Sequence, residues 1–182
     1  MEPEKTRNNS SSGKSSSQES PGKDVVLIVD DNVQNVELLR EYLETIDVDT
    51  IAAYDGIEAL EVVSRSKPDL ILLDIMMPKM SGFEVCRKLK SDPATRDIPI
   101  IMVTALSDLS DIDRGVESGT DDFLSKPINR LELITRVKSL LRLRHLKDEL
   151  ERTLAYLNEV ESSLPEDLQA GVRQKKSSHG SE

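Results

Sequence analysis

The run Leu70-Ile71-Leu72-Leu73-Asp74-Ile75-Met76-Met77-Pro78 settles what kind of protein this chain can be. Four consecutive apolar residues lead into a carboxylate, and a proline closes the segment. A run this short, apolar on both faces, is a strand buried between two layers of helix. An aspartate at its exit then sits at the rim of the sheet, the edge on which open parallel sheets carry their chemistry. A single aspartate could equally begin a turn. The other strand ends decide between the two.

Upstream, Val25-Val26-Leu27-Ile28-Val29 is a second buried strand, and it ends in Asp30-Asp31. Val33, Val36, Leu39, Leu43 and Ile46 follow at helical spacing, with Asn32 placed to cap that helix. Thr50 to Ala53 is a short strand, and Asp55-Gly56 opens a helix whose inner face is Ile57, Leu60 and Val63. Lys67-Pro68 stops it before the central strand. Downstream, Ser81-Gly82 precedes a helix with Phe83, Cys86 and Leu89 inward, and Pro93 and Pro99 bracket a loop. Ile98 to Val103 is a fourth strand that delivers Thr104. A polar helix with Leu109, Ile112 and Val116 inward ends at Gly119. Phe123-Leu124-Ser125 is an edge-like fifth strand that delivers Lys126-Pro127. The last helix begins near Arg130 and packs Leu131, Ile134, Val137 and Leu141. Apolar strands alternating with helices predict an α/β protein, a doubly wound five-stranded parallel sheet covered on both faces.

Lys+Arg of 24 against Asp+Glu of 34 give a formal charge of −10, which argues against a broad phosphate-backbone binder. The single cysteine, Cys86, rules out an intrachain disulfide and suits a reducing compartment. No stretch approaches the roughly 20 apolar residues needed to span a bilayer, so the expected location is cytoplasmic, with no membrane partner. Residues 1–23 are serine-rich with Met1 as the only apolar residue, and they read as a disordered tail.

In a parallel sheet the ends of the first, third, fourth and fifth strands share one edge, so Asp30, Asp31, Asp74, Thr104 and Lys126 can converge. Carboxylates about 4 Å apart repel by roughly 4 kcal/mol per pair at an effective dielectric of 20. Such a cluster calls for a cation, and oxygen-only ligands suit a hard ion such as Mg²⁺. Divalent ion, ammonium and hydroxyl around one aspartate are what a moving phosphoryl group needs. The receiving atom would be a carboxylate oxygen of Asp74, giving an acyl phosphate.

These motifs resemble the receiver domain of bacterial two-component response regulators. The resemblance covers about Asp24 to Leu143 and rests on Val29-Asp30-Asp31, Leu72 to Pro78 with Gly82, Thr104-Ala105 and Lys126-Pro127. It implies a flavodoxin-like strand order 2-1-3-4-5 and phosphorylation of Asp74 by a histidine kinase or phosphotransfer protein. It implies Mg²⁺ bound by Asp31, Asp74 and the Met76 backbone carbonyl, with Asp30 acting through water. Thr104 would turn inward to the phosphoryl group and Lys126 would pair with it. Phe123 occupies the place of the aromatic that moves with Thr104, and Pro127 would follow a cis peptide. The resemblance makes the chain a phosphoacceptor signalling protein rather than an enzyme acting on other substrates.

The apolar pattern continues past the end of that domain. Leu143, Leu146, Leu150, Thr153, Leu157, Val160 and Leu164 alternate in steps of three and four, a heptad seam. Residues 24–143 therefore read as a receiver domain, 144–164 as a helical extension and 165–182 as a polar flexible tail. The extension calls for a partner, and a second copy joined through residues 143–164 is the expected one. In a parallel dimer Arg142 and Lys147 would face each other across the seam, so the orientation stays open. The basic run Arg142-Leu143-Arg144-His145 reads as a solvated helix face, and no helix-turn-helix follows, so no nucleic-acid partner is expected. The alternative is a sensory fragment of a larger regulator with a cyclase, phosphatase or cyclic-nucleotide output module.

Overall fold

Strand β3 (Leu70–Asp74) is buried at every residue and lies at the centre of a five-stranded parallel sheet of order β2-β1-β3-β4-β5. The computed structural model describes residues 22–105 and 115–163. The other elements are β1 (Asp24–Val29), α1 (Val33–Leu43), β2 (Val48–Ala53), α2 (Gly56–Ser66), α3 (Gly82–Ser91), β4 (Ile100–Thr104), β5 (Asp122–Ser125) and α4 (Arg130–Ser163). Residues 115–118 are also helical. Residues 1–21, Leu109, Ile112, Leu164 and the 165–182 tail lie outside the described residues.

Alternation along the strands sorts the core into two layers. Leu27, Val29, Ile71, Leu73, Ile100 and Met102 face Ala59, Val63, Phe83, Cys86 and Leu89 of α2 and α3. Val26, Ile28, Leu70, Leu72, Ile101 and Val103 face Val36, Leu39 and Leu43 of α1 and Leu133, Val137 and Leu141 of α4. Local signals agree with the packing. Asn32 accepts from Gln34 N at the start of α1, and Asp55 accepts from Ile57 N and Glu58 N at the start of α2. Ser81 and Glu84 form a reciprocal capping box on α3. Lys67 ends α2 in the left-handed region, at φ 44°, ahead of Pro68.

Four inward assignments are corrected. Val33, Ile57, Val116 and Leu131 are exposed. Val33, Ile57 and Leu131 belong to the first turn of a helix, where a small rotation moves a residue off the inner face. The faces close instead on Gly56, Ala59 and Val62 in α2, on Gly115 and Ser118 among the described helical residues 115–118, and on Leu133 in α4. Strand β2 begins two residues before the expected Thr50, and Ile98 is buried in the loop ahead of β4 rather than in the strand.

At 34 residues, α4 is about 50 Å long. Past Leu141 it leaves the body through a basic turn seated on acidic groups at the edge opposite Asp74. Arg144 donates to Pro68 O at 3.3 Å and Asp69 O at 3.2 Å, His145 lies 2.7 Å from Asp24 Oδ1, and Lys147 pairs with Asp97. The run expected to be a solvated face is therefore in part a fastening. Beyond it Leu150, Leu154, Tyr156, Leu157 and Val160 are exposed, as are Leu143 and Leu146 within it. No helix among the described residues is long and apolar enough to cross a membrane.

Candidate functional site

The carboxyl ends of β1, β3, β4 and β5 bring Asp30, Asp74, Thr104 and Lys126 to one edge of the sheet. Parallel pairing sets Asp74 beside Val103 and Thr104 beside Ser125. Lys126 N donates to Thr104 O at 2.7 Å, which extends the β4–β5 pairing by one residue and aims the lysine side chain over the edge. Its Nζ donates to Asp74 Oδ1 at 2.7 Å and to Asp30 Oδ2 at 2.9 Å. Asp30 and Asp74 are 1% and 4% exposed, and Thr104 is also buried. The Lys126-Pro127 peptide is cis.

Burial pushes the Asp74 carboxyl above the usual carboxylate range, and the hydrogen bond and charge of Lys126 offset only part of that. Burial pulls on Lys126 in the opposite sense, but its bonds to Asp74 and Asp30 outweigh the loss of water and leave it above the ordinary lysine value. Both directions describe one fact: a single ammonium serves more negative charge than it can balance. Asp31, by contrast, is exposed. Among the described residues no three His, Cys, Asp or Glu side chains are grouped to hold a metal by themselves. The repulsion expected between Asp30 and Asp74 is thus relieved in part by Lys126. The site keeps a net negative charge, an oxygen-only donor set and an under-compensated Asp74, and this chemistry fits a hard divalent cation.

Two neighbouring features hold the edge in shape. Lys79, at φ 67°, reaches from the loop after β3 to Asp55 Oδ2 at 2.7 Å and ties that loop to the start of α2. A Cβ on Gly82 would lie 2.3 Å from the Asp74 carbonyl oxygen, so only glycine lets α3 begin this close to the aspartate's backbone. Gly82→Ala should destabilise the fold by about 1–3 kcal/mol, the range of overpacked sites, in a denaturant titration. A variant as stable as the parent would show that the loop yields freely.

Phe123 is half-buried, and its ring lies against Gly115, where an added Cβ would come within 2.2 Å of Cζ. Cys86 is buried, its Sγ donates to Ser118 O, and burial pushes the thiol up, which leaves it unreactive. Met76 is 65% exposed on the loop after Asp74. Sequence reasoning missed Asn35. Its Nδ2 donates to both Asp30 oxygens, each at 3.0 Å, and the only hint of this is an amide in the first turn of the helix that follows the paired aspartates.

With this fold and site in view, residues 26–138 match the model of the response regulator receiver domain, and the chain belongs to that family. It is 49% identical over 127 residues to the response regulator PleD of Caulobacter vibrioides, covering 70% of this chain and 28% of PleD. It is 41% identical over 140 residues to the DNA-binding response regulator MtrA of Mycolicibacterium smegmatis, covering 77% of this chain and 59% of MtrA. Among solved structures, the receiver domain of a signal transduction histidine kinase from Syntrophus aciditrophicus is 41% identical with a TM-score of 0.63, covering 65% of this chain and 90% of that one. A Francisella response regulator receiver domain is 32% identical with a TM-score of 0.62, covering 66% and 98%. The chain thus spans less than two thirds of the length of these curated relatives. Receiver domains serve phosphorelay signalling. They act as phosphoacceptors for histidine kinases or phosphotransfer proteins, with Mg²⁺ at the phosphorylation site.

Proposed function

We propose that Asp74 is the phosphoacceptor of this chain and that its phosphorylation switches the surface near α4 to control partner binding or dimerisation. The observation that carries this reading is the Lys126 ammonium bonded at once to Asp74 and Asp30 at the carboxyl edge of the sheet. A carboxylate oxygen of Asp74 attacks the phosphorus of a donor phosphohistidine. The P–N bond breaks, its electron pair stays on the imidazole nitrogen, and that nitrogen takes up a proton. Asp74 becomes an acyl phosphate. Little covalent chemistry falls to the protein, which works by positioning and electrostatics. The burial that raises the Asp74 pKa also keeps water from the attacking oxygen.

Lys126 pairs with the phosphoryl oxygens once they arrive, and the Thr104 hydroxyl donates to them, with Phe123 following Thr104. Asp31, Asp74 and the Met76 carbonyl would hold Mg²⁺, with Asp30 acting through water, and the bound ion supplies positive charge against the phosphoryl oxygens. Moving a switch from 1:99 to 99:1 takes about 5.5 kcal/mol, which charge-assisted hydrogen bonds at Thr104 and Lys126 can provide. Residues 24–143 form the switching domain and 144–164 the extension, which joins a second copy through residues 143–164.

Acetyl phosphate with MgCl₂ should add the mass of one phosphoryl group to the wild type and nothing to Asp74→Asn. The same variant should melt higher than wild type as pH rises above the usual carboxylate range, because ionising a group whose pKa is raised by folding weakens the folded state. Equal phosphorylation of Asp74→Asn would remove Asp74 from this role. A second reading is a sensory part of a larger regulator with a cyclase, phosphatase or cyclic-nucleotide output module; the larger size, though not the kind of output, is favoured by the greater length of relatives such as PleD. The reading frame that follows Glu182 in the gene separates the two.

A further inference from the structure

The Asp30 carboxylate is held by more donors than a helix-flanking acid needs. Asn32 N donates to Oδ1 at 2.9 Å, Lys126 Nζ donates to Oδ2 at 2.9 Å, and the Asn35 amide donates to both oxygens at 3.0 Å. A carboxylate only accepts, so the NH₂ end of Asn35 must be the end that faces it. The contact is a fork from the first turn of α1, and it fixes the plane of the carboxylate as well as its distance. Oδ2 is therefore shared between Asn35 and Lys126.

That sharing has a consequence for the reaction. Lys126 bridges two buried carboxylates, and to meet phosphoryl oxygens on Asp74 it must give up part of that bridge. If Asp30 had no second donor on Oδ2, releasing the lysine would leave a buried oxygen unsatisfied, and the lysine would be held back. Asn35 supplies the replacement, and as a neutral amide it adds no charge to an already negative edge. An aspartate there would set another carboxylate against Asp30, and a serine would reach one oxygen at most.

We propose that Asn35 is a positioning residue for phosphoryl transfer, holding the Asp30 carboxylate in place so that Lys126 can exchange Asp30 for the incoming phosphoryl oxygens. The proposal rests on the reading of Asp74 as phosphoacceptor. Its test uses the full chain with Asn35→Leu, which keeps the bulk and removes the donor, Asn35→Ser as a second variant lacking the fork, and Asn35→Gln, which restores an amide. Three quantities are read: the rate of phosphorylation by acetyl phosphate, the dissociation constant for MgCl₂ alone by calorimetry on unphosphorylated protein, and the melting temperature.

Loss of a hydrogen bond to a charged group corresponds to about tenfold. Asn35→Leu and Asn35→Ser should therefore phosphorylate about tenfold more slowly and bind Mg²⁺ several-fold more weakly, with Asn35→Gln recovering most of both. Rates and Mg²⁺ affinities within twofold of wild type in Leu and Ser variants would overturn the proposal, even with a lowered melting temperature, because Asn35 would then only support the fold. A wild type that takes no phosphoryl group at all would bring down the phosphoacceptor reading and this inference together. A phosphorylated wild type matched by Asn35→Leu would bring down this inference alone.

Discussion

Lys126→Met should slow phosphorylation of Asp74 by about a hundredfold, the loss typical of removing one preorganised donor from a site of developing charge. It should also destabilise the fold by about 3 kcal/mol, because removing one partner of a buried ion pair leaves the others uncompensated. Here the remaining pair is Asp30 and Asp74, both buried. The two losses have separate origins, and Asp74→Asn in the same chain distinguishes them. The double variant Lys126→Met/Asp74→Asn should recover much of the stability and none of the phosphorylation, since Asp30 would then be the only buried carboxylate left without its lysine. The pH dependence carries a sign for each group. Asp74 has a raised pKa, so its ionisation costs stability as pH rises from the usual carboxylate range through the folded value, and the cost is complete above that folded value. Lys126 is also raised, so its stabilisation is complete below the ordinary lysine value of 10.5 and is lost as pH rises through the folded value. Melting curves across this range should show the alkaline loss shrinking in Lys126→Met and the gain in stability on acidification growing. Parallel wild-type and variant curves at alkaline pH would mean that the bridge contributes nothing to the fold.

Much of that bridge could be foreseen from the chain alone, and the reason is topological. A parallel sheet gathers its strand ends on one edge, so Asp30, Asp74, Thr104 and Lys126, each just past an apolar run, had one place to meet. The strand order and the cis peptide before Pro127 agree with what the receiver motifs implied. What escaped was set by tertiary detail. Periodicity places a helix's apolar stripe but not its edge, and first-turn rotation turns Val33, Ile57 and Leu131 to solvent. How far lysine compensates Asp30 and Asp74 depends on distances that a sequence does not carry. Asn35 was invisible because its importance lies in a fork to a residue of the preceding turn, and an asparagine in a first helical turn is ordinary. His145 offered no sequence signal either, since its partner Asp24 begins a strand far away in the chain.

If the wild type dimerises through this seam as proposed, Leu150→Glu/Leu157→Glu should sediment as a monomer at concentrations where the wild type associates, an association weakened at least a thousandfold. The argument starts from what α4 leaves uncovered. Its body-facing residues Leu133, Val137 and Leu141 are buried, whereas Leu143, Leu146, Leu150, Leu157 and Val160 keep heptad spacing and meet water. Leu154 is exposed beside Thr153 and widens the seam where a polar residue interrupts it. Fully burying a leucine is worth about 1.5–3 kcal/mol. Four heptad leucines from each of two helices, each little more than half exposed, therefore contribute on the scale of the roughly 4–15 kcal/mol cost of association. The electrostatic objection to a parallel pair also weakens in the folded chain. Lys147 is turned to Asp97 of its own body, so its charge is partly offset there, while Arg142 is exposed nearby. Two glutamates facing two glutamates across positions 150 and 157 remove four leucines from the interface and add like charge in their place. These side chains are exposed and outside the buried core, so the melting temperature of the receiver body should stay close to that of wild type at concentrations where both are monomeric. Dimers that persist in the double variant would place the interface elsewhere on the molecule. A wild type that is monomeric throughout would mean that the seam answers to a different helix.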